Sequence, residues 1–304
     1  MKARWKISVL LGLIVCLVAC NKKEEAKAAK TIGVTLLTRA HEFYRDLEES
    51  LQKEAAQHGF ELVITTAEFD LGKQAAQVED FIVRRVDAII LCPADSRGIG
   101  PAVKQANAAN IPVFTADVAA QEGEVVCHIA SDNIAGGRLA GEYLAKLLNG
   151  KGEIALINHP TVTSVLDRVQ GFKEALAAFP DLTIVADVNA NGVRDKAMQA
   201  AADILQAHPN LDGVFGINDD SALGALDAVQ QFQRAGIVIV GYDGTPLALD
   251  AIRKDTALKA DVVQHPKKIG TILIAKIAEY FSGASLPKVI PVEVGLVDRA
   301  TLQP

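Results

Sequence analysis

Along the chain, short runs of aliphatic and β-branched residues alternate with longer stretches whose apolar positions recur every three or four residues. Runs at 32–37, 61–66, 88–92, 112–116 and 125–130 have the length and composition of buried strands, and 43–58, 73–84 and 99–109 have helical periodicity. The alternation then begins again, with strands over 154–157, 183–188, 213–217 and 237–242 and helices over 165–178, 194–207 and 222–233. Between the two series, Gly136-Gly137 stands near the start of a further helix. Strands that are apolar on both faces and separated by helices belong to parallel sheets covered on both sides. The pattern therefore predicts an α/β protein of two Rossmann-like, doubly wound lobes. The tail differs: a strand over 257–263, a break at His265-Pro266, a helix over 268–281 and a strand over 289–297 could recross between lobes.

The strand at 237–242 ends abruptly in Gly241-Tyr-Asp243-Gly244-Thr-Pro246, which leaves a carboxylate at its tip. In open α/β sheets ligands bind outside the carboxyl ends of the strands, although an ordinary Asp-Gly turn would read the same. A second copy of the grammar argues for the ligand. Asp87-Ala-Ile-Ile-Leu-Cys-Pro-Ala-Asp95-Ser96 parallels Asp212-Gly-Val-Phe-Gly-Ile-Asn-Asp-Asp220-Ser221, and each leads through a helix into a strand that ends in an aspartate, Asp117 or Asp243. A duplicated β-α-β unit with matching acidic tips predicts two lobes facing one cleft.

Composition narrows the function. The 304 residues, half of them hydrophobic, can bury two cores, while 5% aromatics and a net charge of −6 leave no basic footprint for nucleic acid. Lys2, Arg4 and Lys6 precede an apolar run over 7–18 that is shorter than the roughly 20 residues of a membrane span, so residues 1–19 read as a secretory signal. Leu17-Val18-Ala19-Cys20 resembles the lipobox of bacterial lipoproteins, which implies cleavage before Cys20 and lipid on its thiol; a conventional signal with an incidental cysteine is the alternative. Cleavage would move the net charge from −6 to −9 and leave the Lys-, Glu- and Ala-rich residues 20–30 as a tether. Cys92 and Cys127 remain, as one disulfide or, the preferred reading, two buried thiols.

Catalytic signatures are missing: no Gly-x-Ser-x-Gly, no His-Glu-x-x-His, no phosphate-cradling Gly-x-x-x-x-Gly-Lys, and no metal-ligand spacing among six histidines. Asp117 and Asp243 facing across a cleft could serve as a glycosidase acid and base, but a parallel pair of facing lobes favours binding and release without a cofactor.

Ser131-Asp132-Asn133 with Gly136-Gly137, Gly171-Phe172, Asn218-Asp219 ahead of Ala222-Leu-Gly-Ala-Leu226, Gly241 to Pro246, and Gln264-His265-Pro266 before Ile269-Gly270 together resemble the ribose-binding branch of the type I periplasmic sugar-binding proteins. The resemblance covers nearly all of 31–302. It implies an N-terminal lobe of 31–130 plus 265–291 and a C-terminal lobe of 131–264 plus 292–304, with three hinge crossings near Ala130, Gln264 and Pro291. It also implies a monomer that captures a sugar and delivers it to an ABC permease in the inner membrane. The same fold can instead present ligand to a chemoreceptor or sensor kinase. Paired aromatics of the family's first loop fall on Phe43 and Tyr44, and its polar sugar contacts on Asp117, Arg168, Asn218, Asp243 and Gln264. Read by residue type alone, Phe43 and Tyr44 could be core, Arg168 a surface residue and Asn218 an N-cap. The chain departs from the pattern at His41, where the family has asparagine, at Val118, where it has arginine, and near Asn191-Gly192, where an aromatic is missing. These changes point away from ribose and toward another monosaccharide or a polyol.

Overall fold

The computed structural model describes residues 29–302. The signal at 1–19, Cys20 and the tether as far as residue 28 lie outside the described residues. Lys30, read as the end of the tether, instead opens the first strand and pairs with Asp87 (Nζ–Oδ1 2.6 Å).

The first sheet is laid down by β1 (Lys30–Leu36), α1 (Glu42–His58), β2 (Phe60–Thr66), α2 (Leu71–Val83), β3 (Ala88–Leu91), α3 (Gly100–Ala108), β4 (Val113–Ala116) and β5 (His128–Ser131). After α4 (Asn133–Leu147), the second is laid down by β6 (Lys151–Asn158), α5 (Thr163–Leu176), β7 (Asp181–Asn189), α6 (Arg194–Ala207), β8 (Leu211–Gly216), α7 (Asp219–Gln231), β9 (Val238–Asp243), α8 (Pro246–Arg253) and β10 (Leu258–Val263). The chain then returns to the first lobe through α9 (Pro266–Phe281), and β11 (Val289–Val292) and β12 (Gly295–Asp298) close the two sheets. The spatial orders are β11-β5-β4-β3-β1-β2 and β12-β10-β9-β8-β6-β7. Every pairing is parallel except that of β12 with β10. This is the doubly wound pattern expected from the sequence, written twice.

Three details differ from the sequence reading. The strand expected over 289–297 is two strands, because 289–292 pairs with β5 of one sheet and 295–298 with β10 of the other, and residues 293–294 carry the chain across. The strand expected from Val125 begins at His128. The short α8 went unseen; Pro246 at its first turn and the Thr245 side chain, which accepts from the Ala248 N–H, start it. Cys92 and Cys127 are both buried free thiols.

The helices of the second lobe are pinned by glycine. A Cβ on Gly137 would lie 2.0 Å from the Arg168 carbonyl oxygen, and one on Gly171 would lie 2.0 Å from that of Ile134. Backbone therefore meets backbone where α4 crosses α5, which sets the position of Arg168 on α5. Forcing extra volume into such a contact costs roughly 1–3 kcal/mol. Gly171→Ala is expected to lower unfolding free energy by about that amount in urea titration, whereas Gly295→Ala, where a Cβ would meet nothing within 4 Å, should leave it unchanged.

Candidate functional site

The carboxyl ends of the two sheets face each other across a small cavity of about 40 Å³. Its walls include all eight residues singled out from the sequence: His41, Phe43, Tyr44 and Asp117 from the first lobe, Arg168, Asn218 and Asp243 from the second, and Gln264 at a crossing. The lobes touch around it. Ser96 N–H donates to the Thr161 carbonyl (3.0 Å), Thr163 N–H to Ser96 Oγ (2.9 Å) and Ala119 N–H to Thr163 Oγ1 (2.8 Å).

The alternatives left open by residue type are resolved by position. Phe43 and Tyr44 are core residues and cavity walls at once, 6% and 3% exposed, with rings edge to face at 5.2 Å. Asn218 is the N-cap of α7, its side chain accepting from Ser221 N–H, and its Nδ2 donates to the Gly192 carbonyl (3.1 Å). Arg168 is not a surface residue; it is 4% exposed.

Each acid stands on strained backbone. Asp117 has φ 62° and Asp243 φ 135°, conformations that an L-residue holds only when its surroundings enforce them. The Asp117 Oδ2 accepts from the Tyr44 hydroxyl (2.5 Å), and its Oδ1 lies 3.9 Å from Arg168 Nη2 in the other lobe with no hydrogen-bond partner. Burial raises the Asp117 pKa, partly offset by Arg168 and by the Tyr44 bond. Asp243 accepts from Gln264 Nε2 (2.6 Å), so Gln264 keeps an unpartnered Oε1 at the cavity. Burial and then Asp219 push Asp243 well above the usual carboxylate range, against the pull of Arg168.

Arg168 is held on three sides. Its Nε donates to Asn133 Oδ1 (2.8 Å), its Nη1 to the Ile217 carbonyl (2.8 Å), and its guanidinium lies 4.0 Å from the centre of the Tyr242 ring. Burial works against its charge, but Tyr242, Asp243 and Asp117 outweigh it and raise its pKa. Nη2 is left to face Asp117.

Sequence reasoning missed the support beneath Asp243. Asp219 and Asp261 are 2% and 0% exposed, and Asp219 Oδ1 and Asp261 Oδ2 both lack a partner. A Cβ on Gly241 would stand 3.1 Å from the first of these oxygens and 2.8 Å from the second, so both crowd the same glycine. Their outer oxygens accept from Thr245 N–H (2.7 Å) and Gly244 N–H (3.2 Å), the loop that follows Asp243. Burial raises both carboxyls, and the neighbouring Asp219 charge raises Asp261 further. A charged residue inside the apolar strand Leu258–Val263 was the available signal. His159, at the end of β6 and 7% exposed, also lines the cavity and was not anticipated. Among the described residues, no group of three or more His, Cys, Asp or Glu side chains could hold a metal ion.

Two α/β lobes closing on a cavity of aromatic faces and unpartnered acceptors define a solute-binding protein. The chain belongs to the periplasmic binding protein family, whose domain model matches residues 32–285. It is 35% identical over 293 residues to the ribose import binding protein RbsB of Salmonella typhimurium, covering 96% of this chain and 98% of that protein. It is 33% identical over 248 residues to a xylitol-binding protein of Mycolicibacterium smegmatis, covering 81% and 70%. A periplasmic solute-binding protein of an ABC transporter from Actinobacillus succinogenes, solved with bound D-allose, superposes with a TM-score of 0.82 at 30% identity, covering 90% of this chain and 99% of that one. The chain is thus an extracytoplasmic sugar- or polyol-binding protein of the ABC-importer class, in the ribose-binding-protein-like branch, and the glycosidase alternative falls because members of the family are not enzymes.

The buried pair makes stability depend on pH. Burial, then Asp219, raises Asp261 well above the usual range, so between the unfolded pKa near 3.8 and the folded one the native state binds the extra proton. Stability from this group is full below that window and is lost as pH rises through it, at about 1.4 kcal/mol per pH unit. Asp261→Asn removes the titrating group. In urea unfolding at pH 5 and pH 8, the variant is expected to gain on the parent protein as pH rises.

Proposed function

We propose that the protein captures one monosaccharide or polyol between its lobes and hands it to an ABC permease, acting as a monomer tethered to the membrane by lipid on Cys20. Two unpartnered buried oxygens on cavity-lining side chains, Asp117 Oδ1 and Gln264 Oε1, carry this reading. Buried acceptors without donors are costly, and the hydroxyls of a bound polyol would supply the missing protons.

In this arrangement Asp117 and Asp243 accept from ligand hydroxyls, Arg168 donates through Nη2, and Gln264 accepts through Oε1. Phe43 and Tyr44 offer ring faces to the C–H side of the ligand. The contacts come from both lobes, so the ligand favours the closed form by its differential affinity for it, and hinge motion occurs at the three crossings. Hydrogen bonds to charged groups contribute roughly 1.5–3 kcal/mol each, enough for a few of them to support micromolar binding of about −8 kcal/mol. A ligand lacking one hydroxyl leaves a buried partner unpaired, which is the main source of discrimination.

The departures at His41, at Val118 and near Asn191-Gly192 argue for a ligand other than ribose. A thermal-shift screen with D-ribose, D-allose, xylitol and myo-inositol, followed by calorimetry, tests this; tight ribose binding with no competition from hexoses, polyols or cyclitols overturns it. Asp243→Ala is expected to weaken the best ligand by roughly 2–5 kcal/mol, because it leaves a ligand hydroxyl and the Gln264 amide without their acceptor. Small-angle scattering should show compaction when that ligand is added to the parent protein.

A further inference from the structure

The wall where the family supplies an aromatic is built differently here. The turn at Asn191 and Gly192, with φ of 53° and 65°, brings the Gly192 carbonyl to His41 Nε2 (2.9 Å) of the other lobe as well as to Asn218 Nδ2. A Cβ on Gly192 would stand 3.6 Å from His41 Cε1 and 3.6 Å from His159 Nδ1. Two imidazoles, one from each lobe, therefore converge on the position that carries no side chain. The Phe69 ring of the first lobe lies against both, 5.4 Å from His41 and 6.4 Å from His159.

The two rings differ in what remains free. His41 is committed across the cleft, to Gly192 and, at 3.6 Å, to Asp220 Oδ2. The His159 ring makes no hydrogen bond to any described residue, although its backbone is fixed by Asn158, whose Oδ1 accepts His159 N–H (2.7 Å) and whose Nδ2 donates to Asp187 (2.7 Å). A buried, cavity-lining imidazole with one donor and one acceptor and no protein partner is placed for a ligand that offers both.

We propose that His159 is a ligand-contacting, specificity-determining residue, which exchanges hydrogen bonds with a hydroxyl on the ligand face that a ring would otherwise cover, and that His41 locks the opposite lobe over it. The inference rests on the sugar- or polyol-binding reading above and deepens it. It selects ligands that are hydroxylated on the face turned toward Gly192, such as cyclitols, hexoses with an axial hydroxyl or open-chain polyols, over those that present bare C–H there.

The charged neighbours fix how this contact responds to pH. Asp220 of α7, Asp117 after β4 and Arg168 of α5 face His41; His41 itself, Asp95 after β3 and Lys196 of α6 face His159. In the closed form burial lowers His41, and burial followed by His41 lowers His159 to about 4 from an ordinary 6.5. An imidazole exposed by opening takes up a proton that the closed form refuses, so affinity falls as pH drops below 6.5, by up to about tenfold per pH unit for each histidine.

The test uses calorimetry on the soluble protein with D-allose, D-ribose, xylitol and myo-inositol, from pH 7.5 to 5, for the parent and for His159→Gln, His159→Phe and Asp243→Ala. His159→Gln, which keeps a donor and an acceptor, is expected to hold the ligand rank order and to lose about one proton's worth of the pH slope. His159→Phe is expected to lose at least tenfold for the preferred hydroxylated probe and to shift the rank order toward the probe with the barer face. Rank order and pH slope both unchanged in the two His159 variants, with binding lost in Asp243→Ala, overturn the role of His159 while the sugar-binding reading stands.

Discussion

A guanidinium buried at 4% exposure is the constraint on which the rest of the cleft depends. Removing a charge from water costs several kcal/mol, and the cost is met only where geometry supplies partners for every face. Here the Tyr242 ring, the Asn133 amide and the Ile217 carbonyl hold Arg168 from within its own lobe. Those partners come from β9, α4 and the end of β8, so the second lobe must be folded before the charge is tolerable. Only Nη2 remains, and the one carboxylate opposite it, Asp117, belongs to the other lobe at 3.9 Å, too long for a full bond. The ion pair is incomplete, and both of its members line the cavity.

The acids on either side obey the same logic. Asp117 and Asp243 sit at left-handed backbone positions at the tips of β4 and β9, where a strained turn aims a side chain that an extended strand would direct into the sheet. The strain at Asp243 is held by two further acids below it, which grip the next two backbone N–H groups. The shape of this cleft therefore depends on residues that do not line it.

The architecture was legible because both lobes are written in uninterrupted apolar runs at strand length, each followed by a helical period and an acidic tip. The eight wall residues were found by motif order more than by physics; Arg168, in the middle of a helix, has no local feature that marks it as buried. What escaped the sequence reading depends on contacts between distant segments. Asp261 looks like a polar position on a strand until Asp219 is folded over it, and His159 gains its place only when residues 190–193 turn without a side chain at Gly192. The division of residues 289–297 between two sheets was hidden for the same reason, since each half is a plausible strand and only its partners tell them apart.

That division has a consequence for how the molecule is made. The edge strand of the first sheet, β11, and that of the second, β12, are the last two in chain order among the described residues, and α9, which covers α1, comes just ahead of them. Long-range pairings of this kind delay the final collapse until the whole chain is present. Until both are seated, each sheet ends on an unpaired strand edge, that of β5 in the first and of β10 in the second, so neither lobe is completed without the segment that joins them.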